Sequence, residues 1–230
     1  METTMDEALE ARLHGQEFVY GMAHTVFSGE PDEALMGALG SSVCIDSLRG
    51  LGDSDPGWQE LTAWCEVAAG EGAAPGASSN LLATTRSEFN RAIAGLGANR
   101  QSHPWESVYT SSKKLLFQPE MLEVRAFYRA YDCLPRLYPR VADDHLSLEC
   151  AFLAHLAKRA LEARDDEERA FCLAGQRSFL QEHLLVWLGS YASELHEDAP
   201  DGLYDLMARA LLAFAEGEKR FLDEILRRAA

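Results

Sequence analysis

The sequence predicts an all-α fold, on three observations. Apolar residues recur at three- and four-residue spacing through most of the 230 positions. No stretch shows strand-like alternation bounded by hairpin turns. No repeat of fixed period appears. The expectation is about eight to ten helices, with boundaries good to a few residues.

The elements follow from their punctuation. Thr4 and Glu7 read as a capping box ahead of an apolar face at Leu9, Leu13, Tyr20, Val26 and Phe27. Gly29 and Pro31 end that helix, and Pro31 suits the first position of the next, which carries Leu35, Met36 and Leu39. Gly40-Ser41-Ser42 interrupts it. Asp55-Pro56 reads as an N-cap and first residue before Trp58, Leu61, Trp64 and Cys65. Residues 70–79, rich in Gly, Ala, Ser and Pro, read as a flexible loop. They separate an N-terminal helical layer (1–69) from a main body (80–230) within one domain. Leu82, Phe89, Ile93 and Leu96 mark a helix stopped by Gly97, and the stretch from Gly97 to Tyr109 has no helical period. Pro119 starts a helix with Leu122, Phe127, Tyr128 and Tyr131, ended at Leu134-Pro135. Asp143 or Asp144 caps the helix through Leu146, Phe152, Leu156 and Ala160. Arg164-Asp165-Asp166 turns the chain into one long helix from Phe171 to Leu195. Pro200-Asp201-Gly202 breaks it, and a last helix runs to Arg227-Arg228.

Bulk properties exclude several classes. A formal charge of −16 with no basic stripe argues against nucleic-acid binding and favours solubility and attraction of basic partners. The five scattered cysteines form no C-x-x-C pair, so neither a disulfide framework nor a zinc site is expected; they read as small core fillers in a reducing compartment. The acidic N-terminus lacks a signal-peptide pattern, and no apolar run reaches membrane-spanning length. A cytoplasmic protein without membrane insertion is expected.

Two patches carry the functional signal. One is the aromatic and polar stretch His103-Pro104-Trp105-Glu106-Ser107-Val108-Tyr109; the other is Asp143-Asp144-His145 with Glu149. His145 and Glu149, four apart on one helix face, are the only start of a metal site, and they lack a second ligand pair; no metal or cofactor is expected. Ser107 has no nucleophile-elbow glycines, and no glycine-rich phosphate loop is present. Trp105 and Tyr109 offer large rings with a polar handle, suited to a binding groove, the alternative being Trp105 as a core plug. A non-enzymatic binding protein is therefore favoured. A helical metal-dependent hydrolase using His145 and Glu149, and a scaffold without a groove, stand as alternatives.

Pro104-Trp105-Glu106-Ser107-Val108-Tyr109, Asp144-His145 with Glu149, and Phe179-Leu180-x-x-His183-Leu184-x-x-Trp187 together resemble the TorD/DmsD family, over about residues 80 to 215. These are cytoplasmic chaperones for molybdenum-containing oxidoreductases. The resemblance implies an all-helical fold that binds the twin-arginine leader peptide of a molybdopterin oxidoreductase subunit. It also implies that the apo-subunit is held, and its export delayed, until the cofactor is inserted, by a chaperone that is a monomer or homodimer. The family's aromatic-x-Arg-Leu-Phe-x-Gly helix corresponds to Phe89 through Gly95, with Ala92 and Ile93 in the bulky positions. Leader arginines would suit Glu106, Asp143, Asp144 and Glu149, and the apolar part of the leader Phe89, Ile93, Trp105, Val108 and Tyr109, with Ser107 and His145 completing the site. The two patches are then expected to be neighbours around an open, negatively charged cleft.

Overall fold

In the computed structural model, which describes residues 2–52, 56–70, 77–94, 102–111, 120–134 and 142–229, all regular structure is helical apart from one isolated β-bridge. The helices are α1 (Glu2–Phe27), α2 (Glu33–Leu39), α3 (Ser42–Gly52), α4 (Pro56–Ala68), α5 (Ala77–Ala92), α6 (Glu106–Thr110), α7 (Glu120–Ala130), α8 (Leu146–Leu161), α9 (Asp166–Phe179), α10 (Leu185–Asp198) and α11 (Leu203–Ala229). A π turn, Leu180–Leu184, joins α9 to α10.

Several helix ends differ from their expected form, each for a local reason. α1 runs through Thr4, so the expected capping box lies inside the helix. Asp32, not Pro31, opens α2: its Oδ1 accepts the Leu35 N–H at 2.8 Å. Pro56 does start α4, and Gly70, at φ +81°, follows its end in the left-handed region that glycine adopts without strain. α5 begins at Ala77, within the expected loop. Residues 71–76, and the expected Asp55 cap, Gly97 stop and Pro119 start, lie outside the described residues. Asp165 caps α9 through the Glu168 N–H at 2.8 Å.

Residues 1–24, 105–189 and 214–230 form one compact unit, and residues 25–104 and 190–213 form a second. In the first unit, α8 buries one broad apolar face: Leu146, Cys150, Phe152, Leu153, Leu156, Ala157 and Ala160. An aromatic cluster packs on it. Phe152 lies 4.9 Å from Tyr128 and 4.8 Å from Phe179 between ring centroids. Gly175 sits against Tyr131 so closely that a β-carbon there would strike its ring. A buried polar knot holds α1 to α11, with Gln16 Nε2 donating to Glu218 Oε2 at 2.6 Å and Arg12 pairing with the same carboxylate at 2.8 Å.

In the second unit, Phe27 packs against Tyr191 and Tyr204, with centroids at 6.2 and 5.8 Å. Ser102 gives both its N–H and its hydroxyl to Asp198 Oδ2, at 3.0 and 2.7 Å, which pins the chain beyond α5. Gly40 lets α2 end against α4, since a β-carbon there would lie 2.8 Å from the Ala69 nitrogen. Among the described residues, no helix is long and apolar enough to cross a membrane.

Candidate functional site

The two sequence patches meet in the first unit. Trp105 and His145 form the isolated antiparallel bridge, and their rings stand edge-to-face at 5.0 Å. The Glu106 N–H donates to the Asp144 carbonyl at 3.0 Å, and the Ser107 N–H donates to Asp144 Oδ2 at 2.8 Å. Trp105 occupies the N-cap of α6 without a side-chain cap bond of its own. Asp144, 37 residues further on, supplies the capping carboxylate instead. The stretch that lacked a helical period thus contains a short helix, held at its N-terminus by a distant partner.

The cap of α8 is not an aspartate, as the sequence suggested, but His145. Its Nδ1 accepts the Ser147 N–H at 3.1 Å and lies 2.8 Å from Ser147 Oγ. An accepting Nδ1 leaves the ring proton on Nε2. Asp143 faces Arg125 in an ion pair, and its carbonyl accepts from Tyr128 Oη at 2.9 Å.

Below α6 lies a buried acidic cluster. His183 Nδ1 stands 3.1 Å from both oxygens of Glu106. Glu149 Oε2 accepts from Trp187 Nε1 at 3.2 Å, and the Trp187 ring stacks on Tyr109 at 5.5 Å. His183 lies in the π turn and is flanked edge-on by Phe127 at 5.0 Å. Complete burial, reinforced by the neighbouring Glu106 and Asp144 charges, pushes the Glu149 carboxyl well above the usual carboxylate range. Burial also raises Asp144, opposed by its bonds from Ser107.

The expected open, acidic cleft is therefore replaced by an internal polar knot. Glu106, Asp143, Asp144 and Glu149 are at most 4 % exposed, and Ser107 is fully buried. Trp105, Val108 and Tyr109 are half-buried and form the accessible side of the patch. Phe89 and Ile93 belong to the second unit, where Phe89 packs 5.9 Å from Tyr204 and Ile93 is buried. His183, Trp187 and Arg125 were not among the expected site residues. His183 and Trp187 have the four-residue spacing of a shared helix face, but their partners Glu106 and Glu149 lie 77 and 38 residues away.

Nδ1 of His145 and Oε2 of Glu149 are each engaged by a protein donor. Among the described residues, the one cluster with metal-ligand proximity is His196, Asp201 and Asp205 in the second unit. There the Arg209 guanidinium already lies 3.2 Å from Asp205 and 3.9 Å from Asp201.

With this geometry in place, comparison with known proteins is decisive. The family model described as nitrate reductase delta subunit matches residues 52–193. The chain belongs to this family of TorD-like proteins. The match takes in α6, α7, α8, the π turn and most of α10, and so contains every residue of the knot. Similar curated proteins include "Chaperone protein TorD" of Vibrio cholerae serotype O1 strain O395, 32 % identical over 123 residues, which are 54 % of this chain and 56 % of the relative. The protein of the same name from Vibrio cholerae El Tor Inaba N16961 is 33 % identical over 122 residues, 53 % and 55 % of the two chains. That of Photobacterium profundum is 24 % identical over 119 residues, 52 % and 55 %. The chain thus spans just over half the length of these relatives.

Proposed function

We propose that the chain is a system-specific chaperone for a molybdopterin-containing oxidoreductase subunit, acting in the cytoplasm as a binding protein and not an enzyme. It recognises the client's twin-arginine leader and holds the apo-subunit until the cofactor is inserted, which delays export. Family membership and the name shared by the relatives support the chaperone reading. The observation that carries the location of the contact surface is the bridge between Trp105 and His145.

That bridge makes α6 a rigid platform. Asp144 fixes its first turn, Glu106 is tied to His183, and Tyr109 rests on Trp187. Trp105, Val108 and Tyr109 keep part of their surface in solvent. Preorganised aromatic anchors bind with little loss of side-chain entropy, which suits the apolar part of a leader. The buried carboxylates do not act as open forks for the leader arginines; they add to the field of a chain carrying −16, which draws a basic leader in.

Calorimetry with a panel of synthetic twin-arginine leaders tests this. At least one leader should bind, and Trp105→Ala should weaken it by ~1–2 kcal/mol, about five- to thirty-fold, the loss typical of an aromatic anchor. Failure of every leader to bind the unaltered protein would overturn the proposal.

A further inference from the structure

In the first unit, α9 and α11 line a shared groove with matching i, i+3, i+4 faces: Ala174, Arg177 and Ser178 from α9, and Asp223, Leu226 and Arg227 from α11. The groove has a volume of about 500 Å³, within the ~300–1,000 Å³ typical of ligand clefts. It shares no residue with the Trp105 patch or with the acidic knot beneath it. The proposed chaperone function leaves it unused.

The charge of the groove runs against that of the chain. Arg177 Nε donates to Asp223 Oδ1 at 2.7 Å, and Lys219 Nζ donates to Asp223 Oδ2 at 2.8 Å, so both oxygens of the lining carboxylate are taken. Arg227 Nε donates to the Asp223 carbonyl at 2.8 Å. Three cations, Arg177, Lys219 and Arg227, thus meet one anion, Asp223, which leaves an excess of two positive charges on a chain of −16. Glu224, the next residue of α11, pairs with Arg228. Both arginines bind through Nε alone; among the described residues, their terminal nitrogens have no hydrogen-bond partner. Each therefore presents a fork of unused N–H donors on a guanidinium already held in place. The Arg177 side chain is 39 % exposed, and Arg227 and Ala174 are exposed, so solvent reaches the groove. Ala174 and the half-buried Leu226 supply apolar wall.

We propose that this groove docks an acidic peptide segment of a partner protein, one in which carboxylates flank an apolar side chain. The forks of Arg177 and Arg227 each take a carboxylate, and the apolar side chain covers Ala174 and Leu226. A bare oxyanion would use the forks and leave the apolar wall in water. The overall field of the chain repels acidic ligands, so a segment held here is held by the local positive excess at contact range. The same excess turns away a basic leader. The groove and the aromatic platform around Trp105 thus select partner segments of opposite charge.

The test is fluorescence anisotropy of a rhodamine-labelled peptide, Glu-Leu-Glu-Glu-Leu-Glu, with the full chain, beside the same peptide carrying Gln for every Glu. The acidic peptide should bind and the Gln peptide should not. Arg227→Gln, an exposed change in the last turn of α11 that leaves the fold intact, should weaken binding about three- to tenfold, as expected for a partly exposed bidentate pair. Arg177→Gln should act in the same direction. Arg228→Gln removes the same charge one residue along, outside the groove, and should leave the affinity unchanged. Unlabelled twin-arginine leader should not displace the acidic peptide. Absence of binding up to about 1 mM protein would overturn the proposal. So would equal losses in Arg227→Gln and Arg228→Gln, or displacement of the peptide by inorganic phosphate at the peptide's own concentration.

Discussion

Substituting Glu149 by Gln tests the buried acidic cluster most sharply. The carboxyl is fully enclosed and faces Glu106 and Asp144, so it keeps its proton well above the ordinary value of 4.5. A protonated Glu and a Gln have nearly the same shape. The glutamine amide can still accept from Trp187 Nε1, as the carboxylic acid does. In the unfolded chain Glu149 ionises near 4.5, but in the folded chain it does not. Its contribution to stability is therefore fully present below that pH. It declines as pH rises, by up to ~1.4 kcal/mol per pH unit, until the raised folded-state value is passed. Gln has no such dependence. Urea unfolding of both proteins from pH 5 to pH 8 should show the variant gaining on the parent steadily with pH. Parallel stability curves across that range would refute protonation of the buried carboxyl. Glu149→Ala separates charge from hydrogen bonding: it should be about 2–4 kcal/mol less stable than the Gln variant at every pH, because a cavity opens and the Trp187 N–H loses its acceptor.

Other perturbations address single contacts. Arg125→Ala strands the buried Asp143 carboxylate and should cost about 3 kcal/mol in denaturant unfolding, much of it recovered by adding Asp143→Asn. Gly175→Ala drives a methyl into the Tyr131 ring and should destabilise by about 1–3 kcal/mol, read as a lower thermal midpoint. Asp32→Ala removes the α2 cap and should cost about 1 kcal/mol, with Asp32→Asn close to neutral.

The helices that announce themselves in sequence do so through local chemistry: Gly29 beyond the end of α1, Pro56 at the start of α4, and Pro200-Asp201-Gly202 between α10 and α11. The features that escaped depend on distant partners. α6 is five residues long and takes its cap from Asp144, so no nearby residue signals it. The Asp-Asp-His run looked like an aspartate cap, yet the aspartates turn to α6 and Arg125, leaving the cap of α8 to His145. The π turn has no breaker in Leu180–Leu184; it places His183 against Glu106, a contact visible only after folding. The aromatic patch and the Asp-His patch were legible as a pair. Their burial was not, because it depends on Arg125 from α7, His183 from the π turn and Trp187 from α10.

The central claim is that the outer side of the Trp105–Tyr109 helix contacts the client leader. A photo-crosslinking amino acid at Val108 tests it directly, with exposed Val43 as the control position. A leader adduct is expected at position 108, competed away by unlabelled leader and absent at position 43. A leader that binds but leaves position 108 unlabelled, or labels both positions alike, would contradict the claim.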